Sequence, residues 1–250
     1  MAAAPPPSPG PGPLVSCLCV TESRPEFWPW LWWSFAKQDY ENRELVVVDS
    51  SPHPLVRDHA DPRVRVVTAV PGTSVAVKRN LALREARGSV VAWFDDDDWQ
   101  HPRRLSLLVG ALSCGPAIAG STRSWFVHAT GRSARRYDAK LGVIFNGLAA
   151  STTAIGDLRF DEHKRRAADT SWVRALTAGD GGVAVVPEVL SWWLCHRRNI
   201  SNPAVKYSFR EPLERVRDQV GAGDWGDTDD HLGRLVDRLG AACRSSGGAR

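Results

Sequence analysis

The chain has 250 residues, a formal net charge of +4, 43% hydrophobic and 24% charged residues, a composition that fits an ordinary globular protein with one substantial core. Its basic residues form short clusters, Arg135-Arg136, Lys164-Arg165-Arg166 and Arg197-Arg198, rather than the long stripe of a nucleic-acid binder, so no nucleic-acid partner is expected. No apolar run reaches the roughly 18 residues of a membrane span, and five dispersed cysteines with neither a C-x-x-C pair nor zinc spacing read as reduced thiols in a cytoplasmic protein.

In chain order, residues 1–13 are almost entirely Ala, Pro, Gly and Ser. They lack the basic and apolar regions of a signal peptide and read as a disordered leader. Leu14 to Val20 is a short strand-like run, with Cys17 and Cys19 on one face. Pro25 to Gln38 is helical, and its Trp28, Trp30, Trp32 and Trp33 surround the axis, so some must pack a second surface. Glu44 to Asp49 and Val64 to Val67 read as buried strands. Ser74 to Ala86 fits an amphipathic helix stopped by Gly88, and Val90 to Phe94 is a fourth strand. Pro102, in the favoured first position, opens a helix with Leu105, Leu108, Val109 and Leu112 on one side. Beyond it lie a mixed strand over Ala117 to Ala129, a helix over Ala167 to Ala178, and two short strands around Pro187. From Tyr207 a polar helical stretch follows, broken at Gly221 to Asp224.

Strands alternating with helices predict an α/β class, with a doubly wound, mostly parallel sheet flanked by helices and a less regular second half. The expected organisation is a main domain over 14–205, with a nucleotide-binding-type half (14–113) and a less regular half (114–205). A helical extension over 206–250 offers a surface for homo-oligomerisation.

Asp95-Asp96-Asp97-Asp98 follows the fourth strand directly. The carboxyl edge of an open α/β sheet is where ligands bind. Adjacent carboxylates repel by about 1 kcal/mol per pair at 4 Å in water and more near a protein surface. Bound Mg²⁺ or Mn²⁺ would remove that cost. A solvated acidic turn before Pro102 is the competing reading. Repulsion within the block also predicts that removing one carboxylate stabilises the metal-free chain.

From Leu14 to about Ser201 the chain resembles the family 2 glycosyltransferases, which have the GT-A fold. The resemblance rests on several stretches taken in order. Val15 to Thr21 looks like the family's opening strand, with Val20 in place of its usual Pro and Ser23 in place of its Asn. Leu45 to Ser50 is similar to the strand whose terminal Asp contacts the donor base. Gly72 with Lys78-Arg79-Asn80 looks like the element beside the nucleotide, and Trp93 to Trp99 like the metal-binding acidic segment. Ala168-Asp169 resembles the pair that supplies the base, without its Glu. His196 to Ser201 looks like the segment that closes over the donor phosphates.

The resemblance implies a glycosyltransferase that uses Mn²⁺ or Mg²⁺ and a nucleotide-diphosphate sugar, a UDP-sugar, with a small molecule or glycan as acceptor. Expected donor-binding residues are Thr21, Asp49, Arg79, Asp95 and Asp96. Expected metal ligands are Asp97, Asp95 and His196. Strand alternation turns Asp96 to the opposite face, in a structural role, and Asp98 faces the acceptor or the metal's water shell. Asp169 is the expected general base, and a base on the far face from the leaving group implies single displacement with inversion. Each residue also has a plainer reading: Asp49 as a turn residue before Pro52, Arg79 as a helix-surface charge, Asp169 as a helix cap, and His196 as a strand-end histidine. The resemblance makes 114–205 the acceptor half, in which residues 115–166 should shape the acceptor pocket, and the expected setting is natural-product or glycan biosynthesis. A sugar-nucleotidyltransferase would carry a Gly-rich loop after the first strand, and Thr21 to Pro25 has no Gly. A non-catalytic nucleotide-binding domain would not need the uninterrupted acid block.

Overall fold

The computed structural model describes residues 12–53, 59–130, 133–139, 142–164, 167–196, 199 and 209–245. The expected leader lies outside them apart from its last two residues, as do four residues of the segment that begins at His196.

Two apolar strands lie at the centre: β1 (Val15–Thr21) and, parallel to it, β2 (Arg43–Asp49), every residue of which is buried. Further elements of the first half are α1 (Trp28–Ala36), β3 (Val64–Thr68), α2 (Val75–Glu85), β4 (Val90–Trp93), β5 (Trp99–Gln100) and α3 (Arg104–Leu112). The second half adds β6 (Ile118–Ser121), β7 (Arg123–His128), β8 (Ser133–Asp138), β9 (Leu148–Ser151), α4 (Thr152–Ile155), α5 (Ala168–Thr177), β10 (Val183–Val186) and β11 (Ser191–Cys195). The chain continues with β12 (Glu211–Pro212), α6 (Glu214–Val220), α7 (Ala222–Trp225) and α8 (Thr228–Ser245).

The main sheet has the order β10-β6-β9-β4-β1-β2-β3. It is parallel except for β9, which runs against both β4 and β6. Side-chain alternation divides it into two buried faces. Leu18, Val46, Val48, Val91 and Trp93 pack with α2 and α5 on one side. Cys17, Cys19, Leu45, Val47, Ala92 and Phe94 pack with α1 and α3 on the other. This is the expected doubly wound arrangement, and both cysteines fall on one face as their spacing predicts. Gly88 lets β4 begin beside β1, because a Cβ there would overlap the Leu14 carbonyl.

A smaller sheet, ordered β12-β8-β7-β11-β5, carries a third core. Trp99, Trp125, Trp192 and Leu194 meet Trp30 and Trp33 of α1 there, together with Val216, Trp225, Leu232 and Leu235 of the C-terminal helices. The tryptophans of α1 thus serve two surfaces: Trp28 and Trp32 pack against the core of the main sheet. The apolar face of α8 is used within the chain. Among the described residues no helix is long and apolar enough to cross a membrane.

Helix α3 starts later than Pro102. The ring Nδ1 of His101 accepts the Arg103 amide at 3.0 Å, so Pro102 sits in the turn before the helix. Within α3, Arg104 is fully buried. Its guanidinium donates to the carbonyls of Trp93 (2.8 Å) and Leu148 (3.1 Å) and to the Gln100 side chain, and it lies 4.8 Å from the Phe94 ring centre. Burial lowers its pKa to about 10. It ties β4, β5 and β9 together immediately behind the acid block. Arg104→Ala should therefore strand buried carbonyls and cost about 3 kcal/mol, read as a lower urea midpoint; an unchanged midpoint would refute this tie.

Candidate active site

The chain runs β1 to β2 to β3 in one direction, then returns to β4 on the other side of β1. The direction of winding reverses between β1 and β4, and crevices in α/β sheets open at such switch points, outside the carboxyl ends of the strands. Trp93, the last residue of β4, pairs with Leu18. The acids after β4 therefore run alongside the end of β1. Asp49 ends β2 level with Thr21, so β1 stands between the two groups of acids.

The acid block is closely paired. Asp96 accepts from the Thr21 hydroxyl at 2.6 Å and from Arg24 Nη1 at 3.0 Å. The Oδ2 atom of Asp97 faces three nitrogens: Arg24 Nη2, His196 Nε2 at 3.0 Å and Asn199 Nδ2 at 3.2 Å. Asn199 is itself fixed, donating to the Leu194 carbonyl at 3.0 Å and accepting the His196 amide. Asp98 turns inward, where Asn146 donates to its carboxylate at 2.8 Å and Trp30 to its carbonyl at 3.1 Å.

Two expectations change here. Asp96 does not point away from Asp97; the strand has ended at Trp93, so alternation no longer applies, and one guanidinium spans both carboxylates. Asp98 does not face solvent, being buried against Asn146. The expected repulsion is also offset. Burial opposes ionisation of Asp97, but Arg24 and His196 outweigh it and hold the carboxyl below its usual range. Burial likewise disfavours charge on Arg24, and Asp96 and Asp97 more than restore it. Burial raises Asp98, with Asp97 and Asp95 repelling it further.

Asp95 lies at the mouth of the crevice with a quarter of its side chain exposed, 3.7 Å from Arg79. Burial raises its pKa; Asp97 and Asp169 add to this, and Arg79 opposes it. Arg79 is no surface charge. It is buried, with its guanidinium 4.3 Å from the ring centre of Phe145 and 5.4 Å from that of Phe160. Such stacking favours a cation held away from water. Phe160 stacks in turn on Trp172 of α5, centroids 5.0 Å apart. Asp169, one helical turn before Trp172, shares its face. Asp169 lies close enough to Asp95 to act on it electrostatically. The helix cap is Ala167, in a left-handed conformation with φ 56°. Asp169 instead stands inside the first turn, its Oδ1 accepting the Thr170 amide at 2.7 Å.

Asp49 is buried, and its Oδ1 accepts the amide of Ser51 at 2.8 Å as well as the Ser51 hydroxyl. It thus forms the turn that the sequence allowed. Lys78 reaches from α2 across the end of β1, donating to the Thr21 carbonyl (3.2 Å), Ser50 (2.9 Å) and Glu22 (3.2 Å). Arg24 and Asn146 have no role in the sequence reading, and Lys78 and Asn199 enter it only within the stretches Lys78-Arg79-Asn80 and His196 to Ser201. The available signal for Arg24 was its place just past the carboxyl end of β1, where a basic residue faces whatever the sheet edge binds.

Residues 25–165, more than half of the chain, match the family described as Glycosyl transferase family 2. The chain belongs to this family. The matched stretch contains Asp49, Arg79 and the acid block; Asp169 and His196 lie beyond it. No curated protein matches this chain by sequence. It is similar to the mannosyltransferase PcManGT from Pyrobaculum calidifontis, solved with GDP-Man and Mn²⁺: TM-score 0.58, 16% identity, 98% of this chain and 78% of that one. S. aureus TarS 1–349 with UDP gives a TM-score of 0.56 at 16% identity, over 85% of this chain and 71% of that one. A second TarS 1–349 structure also gives 0.56 at 16% identity, and there the chain covers 60% of its length. At this identity the likeness is one of fold, and the architecture of the transferase is GT-A.

Proposed function

We propose that this glycosyltransferase moves a sugar from a nucleoside diphosphate sugar, a UDP-sugar, to an acceptor hydroxyl with inversion at the anomeric carbon. One observation carries the reading: Asp97 Oδ2 and His196 Nε2 converge to 3.0 Å at the switch-point crevice. Adjacent ligands of an octahedral Mg²⁺-type ion at about 2.1 Å stand about 3.0 Å apart, so the pair fits a divalent cation. Among the described residues no group of three or more acids, histidines and cysteines forms a complete cage. That suits an ion completed by water and substrate phosphates. Mn²⁺ or Mg²⁺ at Asp97 and His196 would supply charge to a departing diphosphate; among the described residues Asp95, the third expected ligand, is not grouped with that pair. The fold neighbours crystallised with UDP and with GDP-Man and Mn²⁺ support the same chemistry.

The chain's own residues take the remaining roles. Asp169 accepts the proton of the incoming hydroxyl. Thr21 and Arg79 hold Asp96 and Asp95 in place toward the donor, and Asp49, at the neighbouring strand end, receives the base. Attack from the Asp169 side, opposite the leaving group, gives single displacement. A cytoplasmic setting, in natural-product or glycan biosynthesis, is part of the proposal.

Calorimetry tests the donor site. Titrated with UDP and, separately, GDP in Mn²⁺, the protein should bind UDP more tightly. Asp49→Ala should weaken that binding roughly tenfold or more, the worth of a hydrogen bond to a charged group, while kcat changes little. Unchanged affinity in the variant would remove Asp49 from the donor site, and no binding of either nucleotide would remove the function.

A further inference from the structure

Arg24 sits in the centre of the crevice as a bound cation. One guanidinium edge spans two neighbouring carboxylates, Nη1 on Asp96 at 3.0 Å and Nη2 on Asp97. The side chain is largely buried, 16% exposed, and stacks 4.5 Å from the Phe27 ring centre. The atom it occupies, Asp97 Oδ2, is the one that also meets His196 and Asn199.

That convergence is crowded. A carboxylate oxygen has two lone pairs; Arg24 and Asn199 donate to this one, and His196 Nε2 crowds it as a third nitrogen. The second focus is His196 Nε2, which Arg24 Nη2 approaches to 3.3 Å and Asn199 Nδ2 to 3.2 Å. If Nε2 carries the hydrogen it can serve Asp97 but then opposes two donors. If it carries none it can accept from those donors but then opposes the carboxylate. In either tautomer one pairing is frustrated. A dication between Oδ2 and Nε2 satisfies both atoms as ligands, provided Nη2 gives up its place on Oδ2.

We propose that Arg24 is a resident counter-cation that competes with the divalent ion for Asp97 and thereby sets the protein's metal affinity. This rests on the reading of Asp97 and His196 as the ion's ligands, and adds a residue that opposes binding. In the metal-free protein Arg24 neutralises the acid block; on metal binding its Nη2 must leave Oδ2 while Nη1 can remain on Asp96. Two like charges a few ångströms apart repel strongly in so buried a place, so the guanidinium weakens the ion's hold as long as it stays.

The test is Mn²⁺ binding without donor or acceptor, by isothermal calorimetry and by the loss of the free-ion electron paramagnetic resonance signal. Arg24→Gln keeps a polar side chain without the charge and should bind Mn²⁺ on the order of tenfold more tightly than the native protein. Arg24→Lys keeps the charge and should stay within about threefold of native. Added Mn²⁺ should also raise the thermal midpoint of Arg24→Gln by more than that of the native protein, a readout open even if the variant is less stable. Equal or weaker Mn²⁺ binding by Arg24→Gln would overturn the competition. Absence of Mn²⁺ binding in all three proteins would overturn the metal site itself, and the competition with it.

Discussion

Replacing Asp97 with alanine is expected to lower sugar transfer roughly 10²–10³-fold, the scale of losing one preorganised charge contact to a developing anion. Asp97 is where Arg24, His196 and Asn199 converge, and neither Asp98, committed to Asn146, nor Asp96, committed to Thr21, can take its place. The same pairing fixes the sign of the stability change. From repulsion alone, loss of a carboxylate would stabilise the metal-free chain. With Arg24 bridging Asp96 and Asp97, the variant leaves a buried guanidinium half-paired, and it should unfold about 1–2 kcal/mol more easily. Initial rates with a nucleotide sugar in Mn²⁺, together with a urea titration, check both parts. Full turnover by Asp97→Ala would remove this residue from the reaction.

The second large effect concerns Asp169. Asp169→Asn is nearly isosteric and keeps an oxygen for the Thr170 amide, so the first turn of α5 should survive and donor affinity should hold. Transfer should fall roughly 10²–10⁴-fold, the usual contribution of a positioned base. Because Asn preserves the bond to the Thr170 amide, a purely structural role for Asp169 would leave kcat near native, whereas a catalytic role shows in kcat at unchanged nucleotide affinity. Near-normal turnover by the Asn variant would mean that another group takes the proton.

What the sequence made legible was local. Ser74 reads as a helix start, and it caps α2 by accepting the Val77 amide. The unbroken apolar run of β2 reads as a strand buried on both faces, and all of it is buried. The acid block following β4 gave the edge of the crevice. What stayed hidden depends on distance along the chain. Arg24 meets Asp97 across 73 positions and His196 meets it across 99, so no periodicity could join them. The reversal of β9 and the small sheet were equally hidden: the β8 sequence Ser-Ala-Arg-Arg-Tyr-Asp has no apolar alternation, and it is a strand because β7 and β12 pair with it. Asp96 was misplaced for a different reason, since alternation was carried one turn past the end of the strand.

The configuration of the sugar at the moment it leaves the donor tests the central claim most directly. With an α-linked UDP-sugar and Mn²⁺, proton NMR recorded during turnover reports the anomer of the first-formed product, whether the acceptor is a hydroxyl or water. Single displacement, with Asp169 on the face opposite the diphosphate, predicts the β anomer. First-formed α product would contradict it, because retention requires a nucleophile or a return path on the leaving-group side that the proposed roles of Asp97, His196 and Asp169 do not supply.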